Sequence, residues 1–334
     1  MLATPVITHD APSSGLRPIN LAKDTRQVVE LLNLTFGNRG QRRLGERISL
    51  NYASSITMRW NMLSRGFSPG FVWEESGKIV GNLTLLESQL TGRFLIANVA
   101  VHPDYQRRGV ARSLMQEATN YIVQNRGHKI LLQVERDNLP AINLYHSLGF
   151  VAIGTMNHWY VAPSRLKIET PINPIHPDIR QLERGDWQEA YQLDRRVVPP
   201  DLNWPVPPSP DLFKTGIWRR LTDFLNGQGV DCWVADRQLD EFGKQRINGL
   251  VTLFREWGRP HLLRLRVDSA WQDQLEPALL YKALVKVKKL RTASAIVIHP
   301  TNDGTANKIL IGANFQLRRE LTIMTHDLPG YHES

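Results

Sequence analysis

The chain has 334 residues, of which 42% are hydrophobic and 22% charged, and it carries a formal net charge of +9. The length suggests two domains rather than one, and the composition is that of an ordinary globular protein. No apolar run approaches the roughly 18 residues of a membrane span. The single cysteine, Cys232, excludes an intramolecular disulfide and any metal site built on cysteines.

The opening segment, MLATPVITHDAPSS, has no basic stretch followed by an apolar core. Residues 1–15 therefore read as a flexible lead-in and not as a secretory signal, and the expected location is the cytoplasm. Residues 16–21 read as a first strand. Asp24 reads as the cap of a helix with Val28, Val29, Leu31, Leu32 and Phe36 inward, and a second helical stretch covers 44–63. A hairpin follows, Phe71 to Glu74 and Lys78 to Leu86 around Ser76-Gly77. The apolar strand Ile96 to Val101 then runs into His102-Pro103. Next comes Gln106-Arg107-Arg108-Gly109-Val110-Ala111, which opens a helix with Val110, Ala111, Leu114, Met115, Ala118, Tyr121 and Ile122 on one stripe.

A glycine turn at a helix start leaves backbone N–H groups free and points the positive end of the helix dipole outward. That makes an anion site, usually for phosphate. Gly109 permits close approach of the anion, and Arg107 and Arg108 add charge. The motif is neither GxxxxGK[ST] nor GxGxxG. Lys129 to Glu135 is a strand apolar on both faces. Asn138 then stands at a helix N-cap, with Pro140 in the first turn, Ala141, Leu144, Tyr145 and Leu148 on one stripe, and Gly149 at the end. Val151 to Val161 is a further strand.

The Q/R-x-x-G-x-A loop after a Val-x-Pro strand end, followed by N-x-x-A-x-x-x-Y-x-x-x-G-F, resembles the GCN5-related N-acetyltransferases (GNAT). The resemblance implies acetyl-CoA as cofactor. Its pyrophosphate would be held by Gln106, Arg107, Arg108, Gly109, Val110 and Ala111, with Asn138 along the cofactor arm. Tyr145 matches the residue that protonates the departing thiolate. The family polarises the thioester carbonyl with a backbone N–H where the cofactor strand bulges; here that donor falls between Asn98 and Val101, at Val99. The strand glutamate that many members use as general base is replaced by Ala97. Glu87, at the end of the preceding strand, is the substitute candidate, directly or through a water held by Asn98. His102, in a turn before proline, reads as structural, and His158 is a further candidate base without support.

Residues 162–178 hold four prolines, Pro163, Pro171, Pro174 and Pro177, and read as an extended linker. The plan then repeats. Ile179 to Leu182 is a strand, Trp187 to Leu193 a helix, and Val198 to Pro210 a proline-rich loop with Trp204. Asp211 reads as the cap of a helix through Leu225. Asp231 to Asp236 and Asn248 to Phe254 form a hairpin. Leu262 to Val267, Pro277 to Leu290, Ala295 to Ile298 and Ala306 to Ile311 then alternate strand and helix. Aligning Val101 with Val267 sets Asp273 against Arg107, Leu275 against Gly109 and Glu276 against Val110. Aligning Phe150 with Phe315 sets Asp303 against Asn138 and Leu310 against Tyr145. The glycine is lost, and acidic groups stand where a pyrophosphate would lie.

The expected fold class is therefore α/β (α+β), two tandem GNAT-like domains, each a mixed, mostly antiparallel twisted sheet flanked by helices. The catalytic domain spans 16–161 and the degenerate one 179–330. The expected activity is acetyl transfer to a primary amine of a small molecule or peptide, by direct attack. The alternative is a coenzyme A-binding module with regulatory work and no turnover. No metal is expected, since neither HExxH nor a close His pair is present. No membrane or nucleic-acid partner is expected, since aromatics do not interleave with the basic residues. Acceptor identity and oligomeric state stay open.

Overall fold

The computed structural model describes residues 14–40, 70–88, 90–168, 179–202, 209–214, 216, 227–239, 245–290 and 293–328. The helix expected over 44–63, residues 203–208 of the proline-rich loop with Trp204, and the helix expected after Asp211 from residue 217 onward lie outside these. Contacts divide the chain into two units. The first holds Met1–Gln133, Ile142–Val151 and Thr325–Ser334; the second holds Val134–Ala141 and Ala152–Met324.

In the first unit β1 (Gly15–Pro18), β2 (Gly70–Glu75), β3 (Lys78–Glu87), β4 (Arg93–Val101) and β5 (Lys129–Glu135) stand side by side in chain order. The pairings are antiparallel from β1 to β4 and parallel between β4 and β5. Two helices, α1 (Leu21–Gly40) and α2 (Val110–Gln124), cover opposite faces. Val28 and Leu31 of α1 cluster with Val72, Ile79 and Ala100. Val110 of α2 presses on Gly81 beside Trp73, and Trp73 points away from its neighbour Val72. A Cβ on Gly81 would stand 2.7 Å from Val110 Cγ1, so only glycine lets α2 lie this close. The last strand of the chain, β12 (Gln316–Asp327), ends in this unit: Thr325 Oγ1 donates to Ile130 O (3.2 Å) and Leu328 N to His128 O (2.8 Å).

Two expectations for α1 need correction. Asn20 is its cap, since Asn20 Oδ1 accepts from the N–H of Ala22 and Lys23. Asp24 is one turn further on and is held by Arg17. Val29 and Phe36 are exposed, at 49% and 45%, because the inward stripe follows Val28 and Leu31.

The second unit orders its strands β12, β6 (Val151–Val161), β11 (Ala295–Pro300), β10 (His261–Val267), β9 (Gln245–Glu256), β8 (Gln228–Leu239) and β7 (Ile179–Gln181). From β6 to β7 along this order, β10 and β11 pair in parallel and the other neighbours antiparallel. Its helices are α4 (Trp187–Val197), α5 (Glu276–Leu290) and α6 (Gly304–Gly312), and α3 (Leu139–Ser147) begins in it. Chain order puts β6 in the first half, yet Ala152 onward packs in the second unit, where Met156 to Val161 pair with β11. Trp159 and Val161 join the core formed by Leu263, Leu279, Leu284 and Leu310.

The repeated plan is written in one ion-pair constellation. In the first unit Arg17 on β1 donates to both carboxylate oxygens of Asp24 (2.7 and 3.0 Å) and to Glu74 on β2 (2.7 Å). In the second, Arg180 on β7 donates to both oxygens of Asp186 (2.5 and 3.0 Å) and to Asp236 on β8 (2.6 Å). In each, the aspartate also accepts a backbone N–H, from Asn20 or Glu183, at 2.7 Å. Arg17 holds the Asp24 carboxyl below its ordinary range.

Candidate active site

The first unit gathers its chemistry at the end of β4. The β3–β4 register shifts between Asn82 and Thr84: Asn82 faces Ala100, whereas Thr84 faces Ala97. Asn98 and Val99 thus stand opposite one residue, a β-bulge. Asn98 takes φ +54°, in the left-handed region that asparagine tolerates better than most residues. Two side-chain bonds hold it there. Asn82 Nδ2 donates to Asn98 O (2.9 Å), and Asn98 Nδ2 donates to Thr84 Oγ1 (3.2 Å). On its other side β4 pairs with β5 only from Arg93↔Lys129 to Ile96↔Leu132. The half-buried Val99 therefore lies past the end of the parallel pairing.

Beyond Val101 the chain makes a 3-10 turn, Pro103–Tyr105, capped by His102, whose Nδ1 accepts from Asp104 N (3.3 Å). This is the structural use expected of His102. Gln106 Nε2 donates to Val101 O (3.1 Å) and so ties the loop to the strand end. Arg107 takes φ +62° and Gly109, the N-cap of α2, φ +84°. No side chain caps α2, and its first bond runs from Ser113 N to Gly109 O (3.0 Å). The N–H groups of Val110, Ala111 and Arg112 thus have no partner within the helix. Arg107, Arg108 and Gly109 are exposed, the Arg108 guanidinium lies 5.0 Å from the Tyr105 ring centre, and nothing stands within 4 Å of a Cβ on Gly109. An open, cationic helix start of this kind fits a phosphate-bearing ligand.

Tyr145 lies on α3, 6% exposed, with its ring 6.0 Å from that of Phe150. Burial pushes its phenol up to about 12. Asn138 is the N-cap of α3, its Oδ1 accepting from Ala141 N (3.4 Å), and it belongs to the second unit. The structure does not bring Glu87 to the bulge. It pairs with Phe94, three steps down the register from Thr84, about 10 Å along the strand and on the other face. His158 also sits in the second unit, where burial pushes its imidazole down to about 3. Asn82 and Thr84 were not recognisable as site residues from motifs; their one signal is two polar side chains inside the apolar strand KIVGNLTLLE.

The corresponding loop of the second unit keeps the shape and loses the chemistry. Asp268 Oδ1 accepts from Ala270 N (3.3 Å) as His102 does from Asp104, and Asp273 takes φ +67° where Arg107 has +62°. Leu275, in place of Gly109, is fully buried and its N–H bonds to Trp271 O (3.4 Å). Glu276, in place of Val110, is 0% exposed, and neither carboxylate oxygen meets a hydrogen-bond partner of good geometry. Burial, with Asp303 and Asp273 nearby, pushes it up to about 7. From Leu262↔Phe254 to Val267↔Gly249, β10 pairs with β9 without a register shift, so the bulge is absent too. Among the described residues no group of His, Cys, Asp and Glu is placed to hold a metal ion, and no helix is long and apolar enough to cross a membrane.

Comparison with known proteins matches the first half to a family and the chain to a fold. The model of the "Acetyltransferase (GNAT) family" matches residues 27–150. Over 80 residues the chain is 42% identical to the peptidyl-lysine N-acetyltransferase YiaC of Escherichia coli K12, an alignment covering 24% of this chain and 48% of that protein. Over 63 residues it is 36% identical to the ribosomal protein bS18-alanine N-acetyltransferase of the same organism, covering 19% and 43%. The chain thus spans about half the length of these curated relatives. Among solved structures, the tandem GNAT protein from the clavulanic acid biosynthesis pathway aligns with TM-score 0.55 at 14% identity, over 96% of this chain and 100% of that one. A GCN5-related N-acetyltransferase from Sphaerobacter thermophilus aligns with TM-score 0.62 at 14% identity, over 95% and 96%. Residues 27–150 belong to the acetyltransferase (GNAT) family, and the chain has the fold of the tandem GNAT proteins.

Proposed function

We propose that the protein is a cytoplasmic, acetyl-CoA-dependent N-acetyltransferase that acetylates a primary amine of a small molecule or peptide. The first half, 16–161, is the catalytic domain, and 179–330 is a degenerate copy. The observation that carries this reading is the β4 bulge standing next to an uncapped, cationic helix start, a pair the second unit has lost. Acetyl-CoA, when bound, supplies the activated acetyl group.

The chain's own residues supply the rest. Gln106 fixes the loop, and Gly109, Val110 and Ala111 offer backbone donors to a pyrophosphate with Arg107 and Arg108 beside them. Val99 offers a preorganised N–H to carbonyl oxygen. Tyr145 holds a proton for the departing sulfur, and with its phenol near 12 it keeps that proton at any physiological pH. The amine attacks directly, so positioning carries much of the rate and no covalent enzyme intermediate forms. The acceptor classes to try first are peptidyl-lysine and alanine, the residues that the relatives' names specify.

The test is titration of acetyl-CoA followed by coenzyme A release with lysine-bearing and alanine-ended peptides and a panel of small amines. Binding with release on at least one acceptor is expected; failure to bind overturns the reading. Binding with no release on any acceptor selects the coenzyme A-binding module instead, which the Ala97 replacement and the remote Glu87 favour.

A further inference from the structure

We propose that Asn82 is a positioning residue that aims the Val99 N–H at the thioester carbonyl. The inference rests on the acetyl-transfer reading above. Asn98 C=O and Val99 N–H belong to one peptide unit, which is planar and trans, so its oxygen and hydrogen point in opposite directions. Asn82 Nδ2 pins that oxygen toward β3 at 2.9 Å. The N–H therefore points away from β3, to the side where the β4–β5 pairing has ended at Ile96↔Leu132. The same bond polarises the amide and strengthens its N–H as a donor.

Three further observations make Asn82 more than a strand residue. It is 0% exposed in a strand whose buried neighbours are apolar, where an amide is costly. Its Oδ1 has no partner, so the side chain is half satisfied and is held for its donor alone. Asn98, the residue it grips, is fixed a second time through Thr84 Oγ1, so the left-handed φ is over-determined as strained functional backbone tends to be. The second unit has neither the bulge nor an amide at this place: the residues flanking Val267's partner Gly249 are Asn248, which donates to Arg246 O, and Leu250.

The experiment uses the full chain with Asn82→Asp and Asn82→Leu, and acetyl-CoA labelled with carbon-13 at the thioester carbonyl as probe. Calorimetry reads affinity, isotope-edited infrared difference spectra read the bound carbonyl, and thermal melting reads the fold. In the native protein the carbonyl band is displaced downward from its free-solution position. In Asn82→Leu at any pH, and in Asn82→Asp once the pH is high enough to ionise the buried carboxyl, more than about half of that displacement is lost, while affinity changes by less than about threefold. Lowering the pH restores it in Asn82→Asp alone, because a protonated carboxyl can donate to Asn98 O. An unchanged band in variants that bind overturns the role of Asn82 and leaves the acetyl-transfer reading standing. Parallel collapse of affinity and melting temperature in both variants makes Asn82 a folding residue and also overturns it. A native protein that binds no acetyl-CoA removes both readings together.

Discussion

Tyr145 shows how one environment sets one chemical role. Its ring is packed against Phe150, which itself lies 5.2 Å from His326, and desolvation alone pushes the phenol up to about 12. A buried phenol resists ionisation because the phenolate would lose its hydration. The group is therefore an acid that stays loaded, suited to protonating a thiolate and unsuited to serving as a base. Tyr145→Phe is expected to lower kcat by roughly 100-fold with acetyl-CoA affinity unchanged, since a proton donor acts in the transition state and not in binding. The kcat profile of the native protein should show no alkaline limb from this group below about pH 10. Unchanged kcat in the variant would remove Tyr145 from the reaction. At the same scale neither expected base position is comparable: Ala97 has no ionisable group, and Glu87 is exposed and far along the strand.

Strand, turn and helix act together at the loop Gln106 to Ala111. Gly109 at φ +84° ends the turn and starts α2, so a side chain there meets conformational strain but open space. Gly109→Glu should cost about 1–2 kcal/mol of stability, read as a fall of about 2–8 °C in melting temperature. It should weaken acetyl-CoA binding by at least about 100-fold, because its carboxylate competes for the free N–H groups of α2. Gly109→Ala carries the same strain without the charge and should retain most of the affinity. Equal affinity in all three proteins would place the pyrophosphate elsewhere. This loop was legible in the sequence because its information is local: a glycine, flanking arginines and the start of a 3.6-residue period lie within six residues. The bulge was legible only through the family resemblance. A bulge is a relation between two strands, and nothing within RFLIANVAV states that Asn82 and Thr84 will bracket it. The register shift and the grip on Asn98 O appear only once β3 is laid beside β4.

At the scale of the molecule two copies of one plan have diverged, and the Arg17 and Arg180 constellations record the common design where the loops record the difference. Which strand packs in which unit was not legible. β6 follows the first half in the sequence and β12 the second, and nothing within either strand's own residues names its partner strands. The choice lies in tertiary partners such as Asn307, whose Oδ1 accepts from Trp159 Nε1 (3.0 Å). The second copy's helix start is closed by its own chain. Glu276 is held above its ordinary range, so between about 4.5 and about 7 the folded state keeps a proton that the unfolded state has lost. Stability must then fall as pH rises through that window, by roughly 1–3 kcal/mol, and the loss is complete above it. Melting measured at about pH 5.5 and about pH 8 should show this decline in the native protein and a flatter response in Glu276→Gln, which stays neutral throughout. Neither condition nor the substitution should alter stoichiometry. One acetyl-CoA per chain is expected for both proteins at both pH values, because Leu275 still seals the site and β10 still lacks a bulge. Two sites per chain in the native protein would mean that this buried carboxylate yields to a pyrophosphate, and that the second copy is a working cofactor site.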